Sequence, residues 1–122
     1  MTPLRLIDTT ALQDTLVRFV AERDWGRYHS PKNLAMALTG EVGELVELFQ
    51  WLTEDQSREV MKDPVSAQAV RDEVADVLIY LMELVTALGM DLNQAVVDKL
   101  ASNARRYPPL PGRGAGPRDP SA

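Results

Sequence analysis

Apolar side chains recur every three or four positions through two long stretches of the chain, and this rhythm constrains the fold more than any other feature. The first stretch carries it at Leu34, Leu38, Leu45, Leu48 and Leu52. The second carries it at Val70, Val74, Val77, Leu81, Leu84 and Leu88. Such spacing places an apolar face along an α-helix. Between residues 74 and 82 the second stretch is apolar nearly all round, which predicts burial on several sides.

Helix start and stop signals predict four main helices and one short one. Thr10 with Gln13, and Thr53 with Gln56, are typical of capping boxes, and Ser30-Pro31 is typical of an N-cap and first helical residue. Gly89 is expected to end one helix and Asp91 to cap the next. The predicted helices cover about residues 11–24, 31–52, 54–62, 65–88 and 92–106. With no strand pattern, the sequence predicts an all-α helical bundle of four main helices, completed by dimerisation because the long apolar helix would otherwise stay under-covered.

Composition predicts one domain with a short extension at each end. Residues 1–9 are interpreted as an N-terminal arm and residues 10–107 as the folded domain. Residues 108–122 are rich in proline and glycine and lack periodic apolar positions, so they are predicted to be disordered.

Charge and residue usage narrow the function classes. Lys and Arg number 13 and Asp and Glu 18, giving a net charge of −5, which disfavours nucleic acid as the main partner. Absence of cysteine excludes disulfides and thiolate metal sites. No secretory signal is recognisable, and no apolar run reaches the ~18 residues of a membrane span. The predicted location is the cytoplasm, with no membrane partner.

Four carboxylates interrupt the apolar faces of the two long helices. Glu41 and Glu44 lie three residues apart on one, and Glu73 and Asp76 on the other, so each pair projects from one side of its helix. Burying clustered carboxylates is unfavourable unless cations or protons compensate them. Oxygen-only ligands favour Mg²⁺, with Mn²⁺ as the alternative. These four acids are the predicted metal ligands and catalytic residues.

Solvated surface charge is the ordinary interpretation of acids spaced in this way, and it remains the alternative. Two residues argue against it: Asp76 lies within an apolar run, and Glu41 takes a position where the rhythm expects an apolar residue. Roles for Glu47, Asp72 and Glu83 are left open, with Glu47 and Asp72 as outer members of the site. The lone His29 disfavours a di-iron bundle, which needs Glu-x-x-His pairs.

Further residues are candidates for substrate binding, each with a structural alternative. Trp25, His29 and Trp51 are expected to contact a base, although tryptophans are more often core anchors. Tyr80 lies one turn beyond Asp76 and could contact a sugar, or simply pack in the core. Lys99, Asn103 and Arg106 share one face of the last helix, where cations also favourably meet the helix dipole.

The acidic motif Glu41-Val-Gly-Glu44, followed by Glu73-Val-Ala-Asp76, resembles the signature of the MazG-like all-α nucleotide pyrophosphohydrolases. The resemblance extends over about residues 12–108. It includes AERDW (21–25), GEVGELVELFQW (40–51), DEVADVLIYL (72–81) and KLASNARRYP (99–108), which are similar to the dCTP pyrophosphatase branch. One departure is Leu16, where vertebrate members of that branch have histidine.

This resemblance implies a house-cleaning enzyme that cleaves a nucleoside triphosphate between the α and β phosphorus atoms, releasing the monophosphate and pyrophosphate with Mg²⁺. It implies a pyrimidine deoxynucleotide substrate such as dCTP or modified dCTP, and a homodimer or homotetramer. It also favours substrate contacts from Lys99, Asn103, Arg106 and Tyr107. Either Glu44 or Glu47 is expected to accept the proton of the attacking water. The alternatives are the same reaction on dUTP or broad nucleotides, and a non-catalytic helical adaptor with an acidic stripe.

Overall fold

A computed structural model describes residues 4–112, and within them the secondary structure is entirely helical. The helices are α1 (Thr10–Glu22), α2 (Pro31–Glu47), α3 (Glu54–Arg58), α4 (Pro64–Leu88) and α5 (Leu92–Arg106). Two 3₁₀ turns, Gly26–Tyr28 and Val60–Lys62, lie in the connections. The all-α prediction is confirmed. Among the described residues, no helix is both long enough and apolar enough to cross a membrane.

Two compact units make up the described chain: residues 9–90, and residues 4–8 with 91–112. The larger unit contains α1 to α4, and the smaller contains α5. One domain over residues 10–107 stays a prediction. Most of the predicted disordered tail, from residue 113 onward, lies outside the described residues, as do residues 1–3 of the predicted arm.

The capping box predicted at Thr10 and Gln13 is wrong, because α1 already begins at Thr10 and its N-cap residue, Thr9, forms no side-chain cap hydrogen bond. The predicted caps of α2, α3 and α5 are present, and Asp63 caps α4. The side-chain oxygens of Ser30, Asp63 and Asp91 each accept a hydrogen bond from the backbone N–H three residues further on. Thr53 and Gln56 form a reciprocal capping box. Gly89 ends α4 with a φ of +62°, a left-handed conformation that glycine adopts without a Cβ clash. Local polar side chains therefore fix where most of the helices begin and end.

Three predicted helix boundaries are wrong by a few residues. Helix α1 ends at Glu22 instead of 24, because Asp24 adopts a left-handed φ of 53° and the N–H of Trp25 bonds back to the carbonyl of Val20. Helix α2 ends at Glu47 instead of 52, since the N–H groups of Leu48 and Phe49 bond to carbonyls three residues back, which tightens the chain into turns. The predicted helix over 54–62 divides into α3 and the 3₁₀ turn at Val60–Lys62.

Packing in the larger unit centres on α4, which contacts both α2 and α1. Leu34 of α2 and Met82 of α4 are almost fully buried, as are Ala67 and Val85 of α4. The other side of α4 stays open, since Val74 and Leu78 are 51% and 48% exposed. This arrangement leaves the acidic residues of α2 and α4 on facing helices.

In the smaller unit, the side chain of Asn93 of α5 forms three hydrogen bonds with the backbone of residues 4–7. Its Oδ1 accepts hydrogen bonds from the backbone N–H groups of Leu6 and Ile7, and its Nδ2 donates to the carbonyl of Leu4. One amide side chain thus satisfies three backbone groups of the predicted arm.

Candidate metal and nucleotide site

Carboxylates from α2 and α4 converge in the larger unit. Glu41 of α2 and Glu73 and Asp76 of α4 each place one oxygen within 4.8 Å of the others. All three residues are partly buried. The two helices, which pack along each other, therefore bring together acids separated by more than 30 positions in the sequence.

Burial and mutual repulsion perturb the protonation of these acids. Burial, followed by the charges of Glu44 and Asp76, raises the pKa of Glu41. Burial and the charge of Glu44 are also the main causes that raise the pKa of Glu73, to about 7. No Lys, Arg or His within residues 9–90 forms an ion pair with these acids. The cluster therefore favours gaining a proton or a cation.

Glu44 completes the acidic cluster from a more open position. It is exposed, whereas Glu41 and Glu73 are partly buried, yet its charge contributes to the raised pKa of both. The fourth predicted acid is thus near the other three but does not belong to the tight group of three oxygens. Glu47 lies one turn further along α2 and is exposed.

The donor set fits a hard divalent cation. Two buried carboxylate oxygens, Glu41 Oε2 and Glu73 Oε2, have no hydrogen-bond partner, although buried polar atoms are ordinarily paired. Three carboxylates with convergent oxygens and no nitrogen or sulfur donor match the preference of Mg²⁺ and Mn²⁺. The arrangement is consistent with a divalent metal site held by α2 and α4.

Tyr80 and Glu83 continue the acidic face of α4 beyond the cluster. Glu73, Asp76, Tyr80 and Glu83 follow a three-four-three spacing, which keeps them on one stripe of the helix. Burial raises the pKa of Tyr80, with further contributions from the charges of Glu41, Glu83 and Asp76. The tyrosine hydroxyl therefore lies in the field of the cluster on one side and of Glu83 on the other.

Glu83 has a partner that the acidic cluster lacks. Its carboxylate lies 3.8 Å from Nδ1 of His29, and the two side chains are only 10% and 21% exposed. Burial raises the pKa of Glu83, while His29 acts in the opposite direction. Sequence reasoning left Glu83 without a role; its place in the stripe of Glu73, Asp76 and Tyr80 was the signal that could have found it.

A pocket of about 310 Å³ opens beside this pair, between α1, the turn at Gly26–Tyr28 and α4. Its apolar wall includes Leu16, Val17, Val20 and Ala87. His29, Glu83 and Thr86 are its polar lining residues. The volume falls at the lower end of the range for small-ligand sites.

Neither tryptophan of the predicted base site lines this pocket. Trp25 is 44% exposed and packs edge-on against Phe19, with 5.7 Å between the ring centres. Trp51 lies in the turn after α2 and is 86% exposed. Both indoles are accessible, and their contact with a base stays a prediction.

The remaining predicted substrate residues belong to the smaller unit. Lys99, Asn103 and Arg106 lie on α5, and Tyr107 directly follows it. Arg106 places its guanidinium 5.4 Å from the centre of the Tyr107 ring. Their predicted contacts with substrate remain predictions.

Comparison with known proteins gives this acidic site a context. The sequence model of the MazG-like family matches residues 37–115, which include all four acids. A dCTP pyrophosphatase 1 of Mus musculus is 42% identical over 93% of this chain, and that of Homo sapiens is 49% identical over 74%. The chain spans 68% of the mouse protein and 53% of the human one.

A solved structure shares the fold. The crystal structure of a pyrophosphatase from Archaeoglobus fulgidus is 37% identical in sequence, with a TM-score of 0.77. The similarity covers 89% of this chain and the whole of that one. Together with the matched acidic helices, these similarities show that the chain belongs to the MazG-like family.

Proposed function

We propose that this protein is a Mg²⁺-dependent nucleoside triphosphate pyrophosphohydrolase that acts on dCTP or a modified dCTP. The observation that carries the proposal is the cluster of Glu41, Glu73 and Asp76, with two buried oxygens that lack partners. The similarity to proteins named dCTP pyrophosphatase 1 supports the substrate class. The products would be dCMP and pyrophosphate, which removes surplus or modified nucleotide from the pool.

In this proposal the protein mainly holds and orients the reactants. Glu41, Glu73 and Asp76 would hold the cation, with Glu44 completing the set. When bound, Mg²⁺ would offset phosphate charge and favour attack by water at the α-phosphorus. Glu44, which is exposed beside the cluster, is the better placed of the two candidate bases to take a proton from that water. Lys99, Asn103, Arg106 and Tyr107 are proposed to contact the phosphates and sugar.

Analysis of the products tests the reaction. Incubation with dCTP and Mg²⁺ should release dCMP and pyrophosphate in equal amounts. Release of orthophosphate with dCDP would contradict cleavage between the α and β phosphorus atoms. A panel of dCTP, dUTP and the ribonucleotides at equal concentration distinguishes the narrow substrate from the broad alternative.

Self-association is also part of the proposal. Val74 and Leu78 leave an apolar strip of α4 open, and Val42 and Val46 of α2 are 41% and 51% exposed. Exposed apolar residues on neighbouring helices favour an interface, and we propose that a second copy covers them in a homodimer or a dimer of dimers. Light scattering on the eluting protein should give a mass of two or four chains, and Val74→Lys should shift it toward one.

A cytoplasmic location remains a prediction from the sequence.

A non-catalytic adaptor is the competing function, and it requires that Mg²⁺ and nucleotide leave the melting temperature unchanged.

A further inference from the structure

The pocket beside α1 has apolar walls and two polar points, Thr86 and the pair of Glu83 and His29. Thr86, one of its polar lining residues, already uses its hydroxyl twice: it donates to the carbonyl of Met82 and accepts from Nε2 of Gln13. Glu83 and His29 form the other polar point of the wall. A ligand in this pocket would therefore be oriented by that carboxylate and imidazole.

The carboxylate of Glu83 is a hydrogen-bond acceptor that has little contact with solvent. Its side chain is 10% exposed, and burial raises its pKa, while the imidazole of His29 at 3.8 Å acts in the opposite direction. In its ionised form the carboxylate only accepts hydrogen bonds. A carboxylate held in this way strongly distinguishes a donor from an acceptor on a ligand, because the low-dielectric surroundings magnify both attraction and repulsion.

Position along α4 connects this carboxylate to the proposed metal site. Asp76 and Glu83 are seven residues apart on the same stripe, which corresponds to about 10 Å along the helix. Tyr80 lies between them and feels the charge of both. That spacing is comparable to the reach from the 5′-phosphate of a nucleotide to the far edge of its base.

We propose that the pocket takes the base of the substrate and that Glu83 is a specificity-determining residue, which accepts a hydrogen bond from the exocyclic amino group of an amino-bearing pyrimidine. This inference rests on the proposed function and extends it to the choice of base. A carboxylate is the usual acceptor for the N4 amino group of cytosine. Uracil has a carbonyl oxygen at the same position, which would face the carboxylate as acceptor against acceptor. Apolar residues such as Leu16 and Val20 would contact the ring.

The test compares the specificity constant, kcat/KM, for dCTP and dUTP in the wild type and in Glu83→Gln. The wild type should prefer dCTP by about tenfold or more, since mismatched polar groups in a buried site are strongly rejected. An amide can present either its oxygen or its NH₂ group to the ligand. Glu83→Gln should therefore bring the ratio toward one, mainly by raising the value for dUTP.

Glu59→Gln is the matched control, because Glu59 also has a basic partner, Lys62, but lies in the exposed connection between α3 and α4. It should keep the wild-type ratio. A second measurement uses only the wild type and so does not depend on the folding of a variant. The deoxynucleoside triphosphate of 2-pyrimidinone, which has hydrogen in place of the amino group, should show a value of kcat/KM about tenfold below that of dCTP.

The outcomes separate this inference from the proposed function. Hydrolysis of dCTP to dCMP and pyrophosphate with an unchanged dCTP to dUTP ratio in a folded Glu83→Gln protein would overturn only the role of Glu83. Equal turnover of dCTP and the 2-pyrimidinone analogue by the wild type would do the same. Hydrolysis of no nucleotide by the wild type would overturn both proposals.

Discussion

Two acidic environments on one helix differ in how their charge is compensated. Glu73 and Asp76, in the first half of α4, face Glu41 and Glu44 of α2 without an ion pair to any cation within residues 9–90. Glu83, two turns beyond Asp76, has the imidazole of His29 beside it. The protein itself therefore supplies a partner for Glu83, whereas the acids of the cluster require a cation or a proton from solution. Among residues 4–112, buried side-chain oxygens without a hydrogen-bond partner occur only in the cluster, at Glu41 and Glu73, so the cluster is where an added cation is needed.

The largest expected effect comes from breaking the cluster at Glu41. Glu41→Gln keeps the side-chain size but removes a negative charge and a ligand oxygen, so kcat/KM for dCTP should fall by about 100-fold or more. The helical circular dichroism should persist, and the melting temperature without metal should not fall, because repulsion from Glu44 and Asp76 is relieved. Steady-state assays beside Glu59→Gln measure this, and undiminished turnover would remove Glu41 from the metal site.

A smaller effect should appear in the pH dependence of stability without metal. Glu73 has a pKa of about 7 in the folded protein against an ordinary value of 4.5, with Glu41, Glu44 and Asp76 facing it. The folded state therefore holds a proton that the unfolded state releases, and this stabilisation is complete below pH 4.5 and lost as the pH rises through 7. The raised pKa of Glu41 acts in the same direction.

Melting curves from pH 5 to 8 in chelator test this slope. The melting temperature should decline across the range, and Glu73→Gln should flatten the decline. Mg²⁺ should stabilise the wild type more at pH 8 than at pH 5, because a protonated carboxyl group is a poor ligand. A flat profile for the wild type would mean that its acids are solvated. Measurements below pH 4 are avoided because Asp63, whose pKa is lowered by its hydrogen bonds to Ser66, loses its capping charge there.

The smallest effect should come from removing the partner of Glu83. His29→Ala should lower the free energy of unfolding by about 1 kcal/mol or less, since the two groups are 3.8 Å apart and the imidazole is 21% exposed. It should leave the stabilisation by Mg²⁺ alone unchanged, because His29 does not contact the cluster. Chemical denaturation with and without Mg²⁺ measures both quantities. A loss of metal stabilisation in His29→Ala would show that the two acidic environments are not independent.

The sequence indicated the acidic cluster but not the neighbouring pair of His29 and Glu83, for physical reasons. Glu41 and Asp76 stood out because a local apolar rhythm exposes any charge that interrupts it, and caps such as Ser30 and Thr53 act within three residues. The contact between His29 and Glu83 joins residues 54 positions apart and depends on how α4 packs beside the turn after α1. The spacing of residues that are close together in the sequence does not indicate such a contact. The hydrogen bonds of the Asn93 side chain could not be predicted for the same reason, because they join it to a segment nearly 90 residues away.

Helix ends show the same limit on a smaller scale. Asp24 ends α1 in a conformation that usually signals glycine, so the prediction continued the helix too far. The turns after Glu47 continue the leucine rhythm, with Leu48 and Leu52, although the backbone has left the α-helix. Apolar spacing reports which side is buried more reliably than where the helix stops.

Titration of the wild-type protein with Mn²⁺, in which electron paramagnetic resonance reports the free ion, tests the metal site of α2 and α4 directly. No nucleotide is added, so that only protein ligands are probed. We expect saturable loss of the free-ion signal, with at least one ion bound per chain, and recovery of that signal in Glu41→Gln and in Glu73→Gln. A free-ion signal that rises in the wild type as it does in buffer, or equal binding by both variants, would contradict the claim that α2 and α4 build a metal site.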